Sequence, residues 1–159
     1  MTRSGIGYDS HRLLEGRRFV LGGVEIPHEQ GLAGHSDADV LTHAVIDALL
    51  GAAGLDDIGK HFPDTDERFK DADSIALLAE VIAAVRGRGL RVVNVDCTVL
   101  AERPKIDPHR QAIRERLAAA LGLPAEDVNV KATTGEGIGF VGRGEGVAAL
   151  AIATLEPTA

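Results

Sequence analysis

Between residues 90 and 101 apolar and polar residues alternate, with Val93, Val95, Cys97, Val99 and Ala101 on one side and Asn94, Asp96 and Thr98 on the other. Alternate side chains of an extended chain share a face, so this period of two predicts a strand with one side in the core. Val128, Val130 and Ala132 alternate in the same way with Asn129, Lys131 and Thr133 and predict a second. Residues 3–11 read as an opening strand, and 18–21 and 24–26 as a strand pair around Gly22-Gly23. The nearly unbroken apolar run 146–155 suits a buried strand. Elsewhere the spacing is helical. Val40, Ala44, Ala48 and Leu49 form a stripe that follows Ser36 and Asp39, a capping-box-like start, and ends at Gly51 or Gly54. Ile75, Leu78, Ile82 and Val85 mark a helix over 74–86, capped by Asp73 and stopped by Gly87 and Gly89. Asp107-Pro108 supplies the N-cap and first-turn proline of a third, closed by Gly122-Leu123-Pro124. Residues 27–34 read as a loop and 56–73 as a long polar one, a length that favours a functional role. The alternation predicts an α/β (α+β) two-layer sandwich: one mixed β-sheet covered on one face by three helices, in a single domain over residues 1–159.

Composition narrows the partners. The chain has 45% apolar residues, no Trp, and only Tyr8, Phe19, Phe62, Phe69 and Phe140 as aromatics, so the core must be built from Ala, Val, Leu and Ile. A net charge of -7 argues against nucleic acid and anionic membrane, which need clustered Lys and Arg. The single Cys97 excludes an intramolecular disulfide; it falls on the core side of its strand with no cationic neighbour, which predicts packing rather than reactivity. No signal peptide, transit peptide or bilayer-spanning apolar run is visible, and a reducing cytoplasm is the expected location.

Two stretches carry candidate metal chemistry: Tyr8-Asp9-Ser10-His11, and the segment from His35 to His43. Asp9 and His11, two residues apart on a strand, reach one ion from one face, and His43 joins them from the second turn of the first helix. Two imidazoles and one carboxylate suit Zn²⁺ better than Mg²⁺ or Ca²⁺, and three ligands leave an open position of the catalytic type. Asp39 and Asp47, four residues either side of His43, are candidates to orient its ring. The same residues also read as ordinary polar positions, with Asp39 complementing the helix N-terminus and Asp47 on a solvated face. Residues 131–136 offer Thr133 and Thr134 hydroxyls and turn amides to phosphate oxygens and Glu136 to a hard cation; a Thr-rich strand end is the alternative. Gly137 to Gly142 matches G-x-G-x-x-G but is rejected as a dinucleotide site, because a strand rather than a helix is expected to follow.

Taken together, these stretches resemble the 2-C-methyl-D-erythritol 2,4-cyclodiphosphate synthases, zinc enzymes of the non-mevalonate isoprenoid pathway. The resemblance rests on Gly7 to His11, His35 to Asp39 with His43, Asp57-Ile58-Gly59, Phe62 to Asp66, Ala101 to Lys105, Asn129 to Thr134, Gly139-Phe140 and Gly142 to Gly146, in order along nearly the whole chain. It implies a homotrimer with active sites between subunits, which converts 4-diphosphocytidyl-2-C-methyl-D-erythritol 2-phosphate into the cyclic diphosphate and CMP. It implies zinc on Asp9, His11 and His43, and substrate phosphate on His35 and Ser36. Asp57 and Gly59 would hold sugar hydroxyls, and Phe62, Pro63, Asp64, Thr65 and Asp66 would cover the substrate. Ala101, Pro104, Lys105 and Asp107 would form the cytidine pocket, while Thr133, Thr134 and Glu136 would bind the diphosphate and a second ion, Mg²⁺ or Mn²⁺. His35 and Thr134 would be the catalytic donors. Gly135 and Gly137 stand where many relatives carry Thr and Lys. Trimeric relatives bring Phe140, Arg143 and the Tyr8 position toward the threefold axis, which implies a central cavity where three Arg143 groups could hold a prenyl diphosphate; an Arg143–Glu145 pair pinning a turn is the plainer reading. Apart from the resemblance, a zinc phosphohydrolase and a non-catalytic trimeric nucleotide- or metal-binding module fit the same residues.

Overall fold

Strand β1 (Arg3–Glu15) alternates strictly: Gly7 and Leu13 point into the core, Ile6, Tyr8, Ser10 and Arg12 point outward. The computed structural model describes residues 1–159 and continues through β2 (Val20–Leu21), β3 (Val24–Glu25), β4 (Gln30–Ala33), α1 (Val40–Ala53), the short α2 (Ile58–His61) and α3 (Ser74–Gly87). Then come β5 (Leu90–Leu100), α4 (Arg110–Leu121), β6 (Val128–Thr133), the single turn α5 (Gly139–Gly142) and β7 (Gly146–Pro157). Five strands make one sheet in the order β4-β1-β7-β5-β6, antiparallel except for the β5–β6 pair, while β2 and β3 form a separate ribbon. The helices α1, α3 and α4 lie on one side, and a single contiguous core fills the space between the layers. No helix is long and apolar enough to cross a membrane.

Helix α1 is buried at every position except Asp47 and Gly51, so it is wedged between sheet and α3 instead of presenting one apolar stripe. Gly5 and Gly7 make its seat. A Cβ on either would run into the α1 main chain, at the carbonyls of Ala48 and Ala44 respectively. Each Val, Leu or Ile fully buried in this layer contributes about 1.5–3 kcal/mol relative to an exposed one, and Phe19 is the one fully buried aromatic.

Several expectations need correction. Residues 30–33, expected in a loop, form edge strand β4, because their backbone pairs with residues 12–15 of a β1 that runs four residues past His11. The helix starts at Asp39, not Ser36: the Asp39 carboxylate accepts from Thr42 N, and Ser36 lies outside the helix. A bulge between Val92 and Asn94 shifts the phase of β5, so Val92 is buried and Val93, expected beside Val95, is not. Asp107 opens a 3₁₀ turn instead of capping α4. The 56–73 segment contains α2, capped by Asp57, and a 3₁₀ turn over Glu67–Phe69, capped by Asp66. A helical turn, α5, does follow Gly137, but at four residues it is too short to act as a dinucleotide-binding helix. Strand β7 is buried on one face only; Leu150 and Ile152 stand exposed beside Tyr8 and Ile6 of β1. Cys97 is buried as expected, and burial pushes its thiol up to about 12.

A candidate metal centre and a separate patch beyond β5 and β6

Asp9 and His11 share the helix-facing side of β1, and His43 faces them from the first turns of α1, which Gly5 and Gly7 allow to sit close. Asp9 Oδ2 lies 2.9 Å from His11 Nε2 and 3.0 Å from His43 Nδ1, and the two nitrogens are 3.3 Å apart. The three atoms form the only group of His, Cys, Asp or Glu side chains in the chain arranged to hold a metal ion. Each ring is turned by its other nitrogen. His11 Nδ1 donates to the Ala33 carbonyl at 2.9 Å, and His43 Nε2 sits 2.7 Å from Ser74 Oγ and 3.2 Å from Ser36 Oγ. With those hydrogens directed outward, both facing nitrogens present lone pairs to a carboxylate oxygen. Three lone pairs converging on one point repel unless a cation or a shared proton sits among them.

Protons fill that role when no cation is present. Burial pushes the Asp9 carboxyl up, but hydrogen bonds and charge from His11 and His43 outweigh it and bring it to about 2. Burial would lower His11, yet the hydrogen bond and charge of Asp9 raise it. A divalent ion would replace those protons, and the N₂O donor set fits one that accepts imidazole nitrogen.

The triad opens on a cavity of about 460 Å³ lined also by His35, Ser36, Asp47, Gly59, Phe62, Pro63, Asp64 and Phe69. His35 Nε2 donates to the Asp66 carbonyl at 2.8 Å, which ties the 56–73 segment to the floor and leaves Nδ1 free. Phe62 and Phe69 stack edge to face at 5.2 Å and stiffen the segment's apolar side. Asp57 caps α2 through Lys60 N and does not line the cavity, and Thr65 is exposed outside it.

Neither carboxylate expected to orient His43 does so. Asp39 is fully buried and accepts from Gly22 N (2.9 Å), Gly23 N (2.7 Å), Thr42 N (3.0 Å) and Thr42 Oγ1 (2.7 Å). Asp47 accepts from Ile58 N at 3.0 Å. The orienting groups are hydroxyls, and Ser74, with no distinctive local pattern, went unmarked in the sequence.

The remaining expected residues gather elsewhere, at the C-terminal ends of the parallel pair β5 and β6. Ala101 N donates to Thr133 O at 3.0 Å, and Gly135 N donates to Glu102 Oε1 at 2.5 Å, so 101–107 and 133–136 form one patch. Glu136 is exposed and its carboxylate has no partner in the chain; Thr134 Oγ1 accepts from Glu136 N at 3.2 Å. Pro104 and Lys105 border a hollow of about 370 Å³ with His28, and Asp107 pairs with Arg110 at 3.1 Å. Two strands, β7 and β5, separate β1 from β6. One chain therefore does not bring Thr134 and Glu136 to the triad. Gly135 suits its place, since a Cβ there would meet Gly142 N at 2.5 Å. Arg143 is held by Glu145 through two bonds of 3.2 and 3.1 Å, and Phe140 is part-exposed nearby.

The arrangement has close counterparts. A 2-C-methyl-D-erythritol 2,4-cyclodiphosphate synthase of Salinibacter ruber is 62% identical over 154 residues, covering 97% of this chain and 98% of that protein. One from Gloeobacter violaceus is 61% identical over 154 residues, 97% and 94% of the two chains. Among solved structures, a CDP-bound 2C-methyl-D-erythritol-2,4-cyclodiphosphate synthase superposes with a TM-score of 0.89 at 40% identity, covering 97% of this chain and all of that one. The bifunctional IspDF of Campylobacter jejuni matches with a TM-score of 0.95 at 44% identity over 99% of this chain, which spans 42% of that longer protein. The YgbB family model aligns with residues 2–156, the triad, the cavity and the 133–136 segment included, and the chain belongs to that family.

Proposed function

We propose that this chain converts 4-diphosphocytidyl-2-C-methyl-D-erythritol 2-phosphate into 2-C-methyl-D-erythritol 2,4-cyclodiphosphate and CMP, a cyclising phosphorus–oxygen lyase of isoprenoid precursor synthesis. The observation that carries this reading is the convergence of Asp9, His11 and His43 at the mouth of a cavity in a chain of this family. Asp9, His11 and His43 would hold Zn²⁺ and Glu136 would hold Mg²⁺ or Mn²⁺, and the bound ions would supply positive charge that offsets the repulsion between two phosphates. The nucleophile is the substrate's own 2-phosphate, whose second pKa near 6 leaves it largely dianionic at neutral pH, so no protein base is required. One of its oxygens bonds to the diphosphate phosphorus that enters the ring, the bond from that phosphorus to CMP breaks, and CMP leaves with the electron pair. The protein aligns the two groups in line. Ser36 Oγ lies at the cavity and can donate its hydrogen to a phosphate oxygen. His35 donates from Nδ1 only as the imidazolium, since Nε2 is committed to Asp66. Thr134 and Thr133 offer hydroxyls on the diphosphate side, and Phe62 to Asp66 cover the substrate while 101–107 receives cytidine.

The two halves lie apart on one chain, which supports a homotrimer in which the triad half of one subunit meets the Glu136 half of the next. The exposed row of Ile6, Tyr8, Leu150 and Ile152 on the open face of the sheet supports the same assembly, since an apolar patch of this kind needs covering. At the axis of such a trimer, a prenyl diphosphate on Arg143 would have to share the guanidinium with Glu145. The proposed location is the cytoplasm.

The assay is CMP release from the cytidyl substrate with and without chelator, run in ¹⁸O-water. Chelator-sensitive release with no solvent oxygen in the product is expected; solvent incorporation would mean hydrolysis, and CDP binding without release would mean a binding module. Mixing a His43→Ala chain with a Glu136→Gln chain, at a Mg²⁺ concentration too low for Glu136→Gln alone to turn over, tests the shared site. Activity should return after subunit exchange, and none would return if each chain held a complete site.

A further inference from the structure

We propose that Ser74, gripped by Asp37, sets which nitrogen of His43 is offered to the metal, and so acts as a positioning residue for the centre. The inference rests on the metal reading of the triad. Ser74 Oγ touches two groups, Asp37 Oδ1 and His43 Nε2, the latter at 2.7 Å. A hydroxyl has one hydrogen, and an ionised carboxylate can only accept. The Ser74 hydrogen therefore goes to Asp37, and the oxygen is left to accept from His43 Nε2–H. That assignment leaves Nδ1, the nitrogen 3.0 Å from Asp9, with its lone pair exposed to the triad. The opposite tautomer would leave the Nε2 lone pair facing an oxygen with no hydrogen to give it.

The relay is built to hold still. Ser74 is fully buried, so water does not stand in for it. Asp37 is fixed from several directions: its carboxylate accepts from Ser74 N at 2.9 Å and Asp39 N at 3.1 Å, and its own N–H donates to Ala72 O at 3.0 Å. Ser36 Oγ, at 3.2 Å from Nε2, is a longer second acceptor with no carboxylate behind it. A carboxylate acting through a bound group on the outer nitrogen of a ligating histidine fixes the ring and raises the basicity of the inner nitrogen; here a serine hydroxyl is spliced between them. Its three members come from the loop before α1, from α1 and from the first residue of α3, so the end of the 56–73 segment is tied to a metal ligand.

Ser74→Ala keeps the backbone bond to Asp37 and removes only the hydroxyl. Zn²⁺ affinity, read by competition with a chromophoric chelator, is expected to fall by about ten- to a hundredfold. In the zinc-loaded parent, ¹⁵N-edited NMR of the His43 ring should show a slowly exchanging Nε2–H, and in the variant that proton should exchange fast. Asp37→Asn, which keeps the Ser74 hydroxyl but drops the charge, should lose affinity in the same direction by a smaller factor. It also carries the test if Ser74→Ala fails to fold. Zinc affinity within twofold of the parent in whichever variant folds, with the Nε2–H still protected, would overturn the relay. A parent chain that takes up no zinc would overturn the metal reading itself, a result distinct from parent binding that the variants share.

Discussion

Replacing Asp39 with alanine removes four hydrogen bonds from one buried side chain, to Gly22 N, Gly23 N, Thr42 N and Thr42 Oγ1. Losing the N-cap of α1 alone costs about 1 kcal/mol. Gly22 N–H is buried and left without an acceptor, which adds about 1–3 kcal/mol, while Gly23 is partly exposed and can turn to water. Against this, the variant is spared the desolvation of a carboxyl that burial pushes above its ordinary range. The net expectation is a loss of about 3 kcal/mol, which in a domain of this size lowers the melting temperature by roughly 10 °C. Asp39→Asn should cost about half as much, because Oδ1 still accepts from Gly22 N and Thr42 N while the amide nitrogen faces the Gly23 N–H. The measurement is thermal unfolding by circular dichroism at fixed protein concentration with chelator present, so that metal does not mask the change. A melting temperature for Asp39→Ala within about 2 °C of the parent would refute the argument that this carboxylate staples the β2–β3 turn to the helix.

His43→Ala should fold and lose its zinc, checked by elemental analysis of the purified protein; full zinc retention would remove His43 from the ligand set. Glu136→Gln should keep zinc but need a much higher Mg²⁺ or Mn²⁺ concentration for half-maximal rate, since an amide lacks the charge a hard ion seeks, and an unchanged titration would place the second ion elsewhere. In metal-free protein the triad should favour mildly acid pH. The Asp9 contribution is present above its unfolded value of 3.8 and lost as pH falls toward about 2. The His11 contribution is present below 6.5 and lost as pH rises through its raised folded value. A metal-free melting temperature that keeps climbing from pH 6 to roughly pH 9 would contradict that sign.

What could be read from sequence follows how locally each feature is encoded. Asp9 and His11 share a face because a strand repeats every two residues, and His43 follows from the helix beginning at Val40, so the triad was visible before any fold was known. Ser74 was not, because its meaning comes from His43 and Asp37, 31 and 37 residues away. Strand β4 was missed for a similar reason: Gln30–Ala33 has no alternation of its own and is a strand only because β1 overruns His11 and pairs with it. The bulge at Val93 is another case, since a one-residue phase slip leaves composition unchanged. The apolar run of β7 suggested burial on both sides, yet sequence cannot say which face of a strand a neighbouring chain would cover.

The glycines under α1 have a consequence for the proposed metal centre. Because Gly5 and Gly7 let the helix backbone rest directly on the strand, the spacing between His43 and the Asp9–His11 pair is gauged by main chain against main chain. A bite set in this way is stiff, and a stiff bite discriminates among ions by radius and preferred geometry instead of adapting to whichever is most abundant. The two missing methyl groups would thus calibrate the proposed ligand cage, and a chain that filled them would have to lift its helix and widen the cage with it.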